Sequence, residues 1–282
     1  MNLSGGARIA GVMGWPVAHS RSPALHGYWL AEHKIDGAYV PMLVAPENLA
    51  AALRALPVLG FAGCNLTLPH KETALAIVDE IDPSARRAGA ANTIVVGKDG
   101  KLGASNSDMF GFLAALHDGA PGWRAHDGPA VVIGGGGGAR SVAAALLDAG
   151  VPELRLVNRT RDRAEAMARE LGGSIVVLPW QERAAALEHA SLLVQTTSLG
   201  LEGRTTLDLP LDRLPREAVV NDIVYVPLET PLLAAARARG NRVVDGLGML
   251  LHQGRPGFAA WYGVMPEVTP ALRRAMLATF AR

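Results

Sequence analysis

The chain predicts an α/β protein built as two βα domains in series, with a cleft between them. Three observations carry this expectation. Short apolar runs alternate with helical patterns along most of the sequence, the alternation restarts after a Gly- and Pro-rich stretch at 119–129, and one apolar run, Ala130–Ile133, ends abruptly in five glycines. A length of 282 residues with 49% hydrophobic content suffices for two cores.

The first half reads as strand 9–13, a helix after Ser22-Pro23, strand 38–44, helix 46–56, strand 60–66 and helix 71–78. Ser22 followed by Pro23 fits an N-cap and first helical position, and Pro46 opens its helix in the same way. A hairpin follows, with 93–96 and 102–104 flanking Lys98-Asp99-Gly100, whose glycine tolerates positive φ. Asn106-Ser107-Asp108 precedes another helix, and the change of domain is placed near residue 108. Beyond the crossing at 119–129 come strand 154–157, helix 162–171, strand 174–178, a helix from Gln181, strands 192–195 and 219–224, helix 231–239 and strand 242–244. Repeated βα units imply a parallel, doubly wound sheet. After Asp245-Gly246 two helices close the chain, 247–262 and 266–280, with Gly254 and Pro256 kinking or interrupting the first.

Composition removes several function classes. A formal charge of +1, with basic residues scattered apart from the cluster between Arg159 and Arg163, offers no footprint for nucleic acid. The N-terminal residues lack a basic region followed by an apolar core, and no apolar stretch reaches spanning length, so no membrane partner is expected and the compartment is read as cytoplasmic. Cys64, the sole cysteine, cannot form an internal disulfide and reads as a small buried hydrophobe. The eight histidines show no ligand spacing, and a single cysteine excludes a thiolate zinc site, so no metal is expected.

The glycine run points to a cofactor. Gly134, Gly136 and Ala139 occupy the spacing G-x-G-x-x-A between a strand and a run of helix formers, where backbone N–H groups of Gly134, Gly135, Gly136, Gly137 and Gly138 can approach a pyrophosphate at a helix N-terminus. At the end of the next strand, where a carboxylate would receive a ribose hydroxyl, the chain carries Asn158-Arg159-Thr160, with Arg163 one helical turn on. Arginine favours a 2′-phosphate, so the second domain reads as a Rossmann-like, NADP-binding domain.

Several polar residues fall at the carboxyl ends of strands, where α/β sheets place ligands. Ser20 and Ser22 follow the first strand, Asn65 and Thr67 end the third, and Asn92 precedes Thr93, together supplying hydroxyl and amide groups suited to a polyhydroxylated molecule. Lys71, close behind a strand end, and Asp108, opening a helix, could form a proton-transfer pair; the residue types alone also fit a surface lysine and a capping aspartate.

The chain as a whole resembles the shikimate/quinate dehydrogenase family through five ordered motifs: 14–23 (GWPVAHSRSP), 65–72 (NLTLPHKE), 89–93 (GAANT), 158–160 (NRT) and 245–250 (DGLGML). The resemblance implies a split substrate-binding domain, 1–107 plus 246–282, and an NADP-binding domain, 108–245. It implies that Ser20, Ser22, Thr67, Asn92, Asp108 and Gln253 bind a cyclohexene acid, the serines holding its carboxylate, that Tyr225 approaches the same substrate, and that Lys71 and Asp108 are the catalytic pair. Gly134 to Gly138, Asn158, Arg159, Thr160, Arg163, Ile223 and Gly246 would line the cofactor site. The implied reaction is reversible reduction of 3-dehydroshikimate to shikimate by NADPH, on the route to chorismate and the aromatic amino acids, in a monomer or homodimer. Four departures stand out: Asn106-Ser107-Asp108 for Asn-Thr-Asp, Gln195-Thr196-Thr197-Ser198 for Asn-Ala-Thr-Ser, Ile223 for methionine, and the Gly254-Arg255-Pro256-Gly257 segment directly after Gln253. A relative accepting quinate, an amino-shikimate or NAD, a non-catalytic NADPH-binding sensor, and a folate-linked dehydrogenase are the alternatives; Ser20-Arg21-Ser22 and Arg159 favour shikimate and NADP.

Overall fold

Trp261 and Tyr262, far along the chain, donate hydrogen bonds to the carbonyls of Ile94 (2.9 Å) and Ala38 (2.8 Å), which belong to strands of the first half. These bonds explain a unit that is discontinuous in sequence. The computed structural model, which describes residues 3–280, divides into one unit comprising the chain up to Ser107 and from Gln253 onward, and a second running from Asp108 to His252. The motifs place the return at 246; the division falls after His252, inside a single helix.

The first unit carries strands β1 (Arg8–Gly14), β2 (Gly37–Leu43), β3 (Phe61–Leu66), β4 (Glu80–Ile81), β5 (Thr93–Val96) and β6 (Leu102–Ser105), in the sheet order β2-β1-β3-β5-β6-β4. The strands β1, β2 and β3 are parallel, and β5 runs antiparallel to both β3 and β6. Helices α1 (Ser22–Glu32), α2 (Leu49–Val58), α3 (His70–Thr73) and α4 (Pro83–Ala88) connect them. Met13, Leu53, Leu56, Leu66, Ile94 and Leu102 form a buried core with α2 on one face of the sheet.

Local signals and tertiary demands part company at four places here. Helix α1 begins at Ser22 itself, so Arg21 takes the flanking position and Ser20 Oγ accepts from Ser22 N at 3.3 Å. The helix read over 71–78 shrinks to α3 and one 3-10 turn, because Asp79 N bonds to Leu102 O (3.0 Å) and β4 pairs with β6, drawing the chain into the sheet. Helix α4 follows β4, capped by Asp82, whose Oδ1 accepts from Ser84 N at 2.8 Å. The last helix starts at Pro270 rather than 266, where Thr269 Oγ1 accepts from Leu272 N.

In the second unit, α5 (Asp108–Gly119), β7 (Ala130–Ile133), α6 (Gly137–Asp148), β8 (Leu154–Val157), α7 (Arg161–Leu171), β9 (Ile175–Leu178), β10 (Leu192–Gln195), β11 (Val219–Asp222), α8 (Pro231–Ala238) and β12 (Arg242–Val244) form a parallel sheet with order β12-β11-β10-β7-β8-β9. Strand order reverses between β10 and β7, the place where doubly wound sheets open a crevice at their carboxyl ends. Ala130 and Val132 face one buried cluster with α6, while Val131 and Ile133 face another with Leu193 and α8. Continuous apolar strands are what a sheet covered on both faces requires. The segment after Gln181 forms short 3-10 turns instead of a helix, since Arg155 Nη1 captures the carbonyls of Ala186 (2.8 Å) and Glu188 (2.5 Å).

Helix α9 (Gly246–Tyr262) runs unbroken through Pro256, contrary to the interruption expected there, and α10 (Pro270–Leu277) follows it. Proline deprives the His252 carbonyl of a helical donor. Packing compensates: Arg255 Nε bonds to Pro266 O at 2.7 Å, and Gly254 lies so close to α1 that a Cβ there would stand 2.9 Å from Leu25 Cδ2.

Candidate active site

In the first unit β1 and β3 end side by side, and Thr67 N bonds to Met13 O at 2.9 Å. A Cβ on Gly14 would overlap the Thr67 methyl, so only glycine lets the chain that carries Ser20 and leads into Ser22 of α1 leave β1 this close to the loop bearing Thr67. Ser22 is buried, whereas Ser20 and Thr67 are part-exposed. Lys71 lies on α3, where its carbonyl accepts from Ala91 N at 2.8 Å, beside Asn92. His70 secures that short helix: its buried ring holds Nε2 2.8 Å from Val44 O, and because a carbonyl only accepts, Nε2 carries the proton.

Asn92 is the centre of a buried polar network. Its Oδ1 accepts from Ser107 N (2.8 Å), and a backbone N–H can only donate, so the amide orientation is settled. The Nδ2 group then faces Ser107 Oγ (3.0 Å) and Gln253 Oε1 (3.4 Å). Asn65 Nδ2 donates to Asn92 O (2.9 Å) and to Thr93 Oγ1 (3.2 Å), while Asn65 Oδ1 accepts from the Tyr39 phenol at 2.6 Å. Burial pushes the Tyr39 phenol well above its ordinary pKa, opposed by a hydrogen bond from Ser22, so it is a neutral donor. The first unit thus brings Asn65, Asn92, Thr93, Ser107 and Gln253 into one network. Asn65 spends its amide inside the protein, an arrangement that orients neighbours.

The second unit holds the glycine turn. Gly134 has φ +135, and a Cβ there would collide with Thr196 Oγ1, which itself donates to Ile133 O at 2.7 Å. The backbone extends through Gly136, and α6 starts at Gly137, so its first N–H groups lack intrahelical acceptors and aim past the turn. At the end of β8, Asn158 Nδ2 donates to Thr160 O at 2.8 Å, 2.6 Å from the point a Cβ on Gly135 would occupy. Arg161 is tied to Glu165 at 2.7 Å, but the exposed side chains of Arg159 and Arg163 make no hydrogen bond or ion pair with the described residues. Unspent donors at a helix N-terminus and two uncommitted guanidinium groups suit a dinucleotide carrying an extra phosphate. Asp108, 5% exposed, opens α5 of this unit; Ile223 and Tyr225 follow β11, and Gly246 opens α9.

Sequence pattern did not assign Tyr39, Thr93, Ser107 or Asp222 to the site. Asp222 left the clearest trace, a carboxylate ending the wholly buried strand Val-Val-Asn-Asp. Tyr39 left little, since a tyrosine in a half-buried strand is ordinary.

Two family models match the chain: "Shikimate dehydrogenase substrate binding domain" over residues 12–94 and "Shikimate / quinate 5-dehydrogenase" over 122–201. A protein of Paramagnetospirillum magneticum named shikimate dehydrogenase (NADP(+)) is 59% identical across 98% of this chain and all of its own length. A Rhodospirillum rubrum protein of the same name is 60% identical, covering 98% of this chain and 99% of its own. Among solved structures, the Thermus thermophilus shikimate 5-dehydrogenase in complex with NADP(H) and shikimate superimposes with a TM-score of 0.85 at 40% identity, over 96% of this chain and 99% of that one. A shikimate dehydrogenase in complex with NADP+ reaches a TM-score of 0.91 at 30% identity over 100% and 98%.

Proposed function

We propose, from the premise that this chain belongs to the shikimate dehydrogenase family, that it catalyses the reversible NADPH-dependent reduction of 3-dehydroshikimate to shikimate, on the route to chorismate and the aromatic amino acids. The observation that carries this reading is 59% identity along 98% of the chain to a relative of that name. Bound NADPH would supply the hydride. The turn from Gly134 to Gly138 and the start of α6 would hold its pyrophosphate; Asn158, Arg159, Thr160 and Arg163 would hold the ribose phosphate; Ile223 and Gly246 would border its far end.

Ser20 and Ser22 would receive the substrate carboxylate, and Thr67, Asn92, Gln253 and Tyr225 its ring hydroxyls. Asn92 is held in one orientation for that task, with Ser107 N donating to its Oδ1 and its NH2 group bonded to Ser107 Oγ beside Gln253 Oε1. Lys71 would deliver a proton to the oxygen that becomes a hydroxyl, and its cationic ammonium stabilises negative charge developing there. Asp108 is its proposed partner in that proton transfer. The fully buried Cys64 thiol is pushed up in pKa by burial and stays inert, which agrees with the cytoplasmic reading.

Absorbance of reduced nicotinamide, followed with shikimate, quinate or an amino-shikimate and with NADP or NAD in turn, tests the proposal. Fast NADP reduction by shikimate, reduced about 10²- to 10⁴-fold in Lys71→Met, is the expected result. NADPH binding without turnover of any of the three acids would overturn it in favour of a sensor, and equal use of NAD would overturn the cofactor assignment. Light scattering at working concentration separates monomer from homodimer.

A further inference from the structure

We propose that Asp222 is a positioning residue for the cofactor site: its buried carboxylate clamps the loop after β10, the segment after β11 and the start of α8 into one rigid rim beside the glycine turn. This inference rests on the NADP reading given above. The geometry is specific. Asp222 Oδ1 accepts from Val224 N at 3.0 Å and from Gln195 Nε2 at 3.4 Å, and Oδ2 accepts from Thr230 Oγ1 at 2.7 Å. Thr230 in turn caps α8 by accepting from Leu233 N. Gln195, wholly buried, extends the clamp: Nε2 also reaches Thr197 O (3.1 Å) and Leu199 O (2.9 Å), and Oε1 accepts from Thr197 N (2.5 Å). The side chain that departs from the family's asparagine is therefore the one that laces the loop after β10 to Asp222.

Both clamped segments press directly on the turn. Thr196 occupies the space a Gly134 side chain would need, and Ile223 Cδ1 lies 3.1 Å from the point a Cβ on Gly138 would take. The Ile223 carbonyl likewise fills the position of any side chain at Gly246. At three of the glycines assigned to the cofactor, therefore, the clamped segments occupy or crowd the space a side chain would take.

The energetic setting argues against a filler role. A carboxylate 1% exposed at the end of an apolar strand is costly, and burial pushes Asp222 up to about 6 despite the bonds from Val224 and Thr230. An apolar residue would serve the sheet at lower cost, but it could not hold three segments at once.

The test compares Asp222→Leu, Asp222→Asn, Thr230→Val and Thr230→Ser by NADPH affinity from nicotinamide fluorescence, by the KM values for NADP and shikimate, and by thermal melting. Asp222→Leu should weaken NADPH binding about tenfold or more and raise KM for NADP, with the shikimate KM at saturating NADP within about twofold. Asp222→Asn keeps an oxygen to accept from Val224 N and Gln195 Nε2, while its Nδ2 can donate to Thr230 Oγ1 with the direction of that bond reversed, so it should restore most of the affinity. Thr230→Val should lose affinity and Thr230→Ser should not. Unchanged NADPH affinity in folded Asp222→Leu, or equal losses for cofactor and shikimate, would overturn the proposal. If Asp222→Leu does not fold, unchanged affinity in Thr230→Val overturns it instead. Binding is read without turnover, so a wild-type protein inactive on shikimate would sink the functional reading while leaving this one to stand on its own result.

Discussion

The Tyr39 phenol donates to Asn65 Oδ1 across 2.6 Å while its ring lies parallel to His26, with ring centroids 3.9 Å apart. The stack fixes the ring, the ring aims the hydroxyl, and the hydroxyl decides which way the Asn65 amide stands. Its NH2 group is then committed to Asn92 O and Thr93 Oγ1, so Thr93 turns its own proton toward Asn92 Oδ1 or Ser107.

Removing that hydroxyl should loosen the network without emptying the site. Tyr39→Phe leaves a buried acceptor unpaired, a cost of about 1–3 kcal/mol. We expect a lower urea midpoint of unfolding and a several-fold higher KM for shikimate with an unchanged KM for NADP. Steady-state kinetics with each substrate varied in turn would show it, and an unaltered shikimate KM would refute the linkage.

His26 makes the fold sensitive to acid. Both ring nitrogens are buried without a hydrogen-bond partner among the described residues, and burial lowers the pKa from 6.5 to about 3. Between those values the folded chain binds fewer protons than the unfolded chain, so this contribution is complete above about pH 6.5 and is lost as pH falls through the window. It amounts to about 3 kcal/mol between pH 7 and pH 4. His26→Phe keeps an aromatic stack on Tyr39 and should flatten the acid limb of stability, measured by urea unfolding from pH 4 to pH 8. Parallel limbs for the two proteins would contradict this account.

Arg159 and Arg163 should set cofactor choice. Hydrogen bonds to a charged phosphate contribute about 1.5–3 kcal/mol each, so Arg159→Ser should cut kcat/KM for NADP about 10- to 100-fold and leave NAD almost unaffected. The preference is read as the ratio of kcat/KM for the two cofactors. A ratio unmoved in the double variant Arg159→Ser, Arg163→Ser would place the phosphate elsewhere.

Gly134→Ala combines backbone strain at φ +135 with overlap on Thr196 Oγ1. The expected result is a loss of about 1–3 kcal/mol in stability and a large drop in NADPH affinity. Adding Thr196→Gly removes the overlap and should restore part of both. Calorimetric melting together with fluorescence titration separates strain from collision, and no recovery in the double variant would assign the whole effect to φ.

How much was legible depended on how local each cause is. Ile133 running into Gly134-Gly135-Gly136 announces a strand, a turn and a helix because the steric permission of glycine and the propensities of the next residues act within a few positions. The positions of Arg159 and Arg163, just beyond the end of β8 and in the first turn of α7, could be read for the same reason. Helix α3 and strand β4 could not, because 71–78 carries a helical pattern and only the pairing of β4 with β6 and the bond from Asp79 N to Leu102 O end the helix early. Tyr39 was invisible, its purpose residing in a partner 26 residues away.

The sequence by itself determined the α/β class, the strand, glycine turn and helix at 130–148, and the family, each resting on short-range backbone preference or on ordered motifs. Only the tertiary structure decided that Gly254 and Pro256 leave α9 intact, that Trp261 and Tyr262 bring the C-terminal segment back to the first sheet, and that Asn92 turns its Oδ1 to Ser107 N and its NH2 group to Ser107 Oγ and Gln253 Oε1. Those outcomes depend on hydrogen bonds and packing between residues far apart in the chain, which outweigh local propensity once burial makes an unpaired donor or acceptor costly.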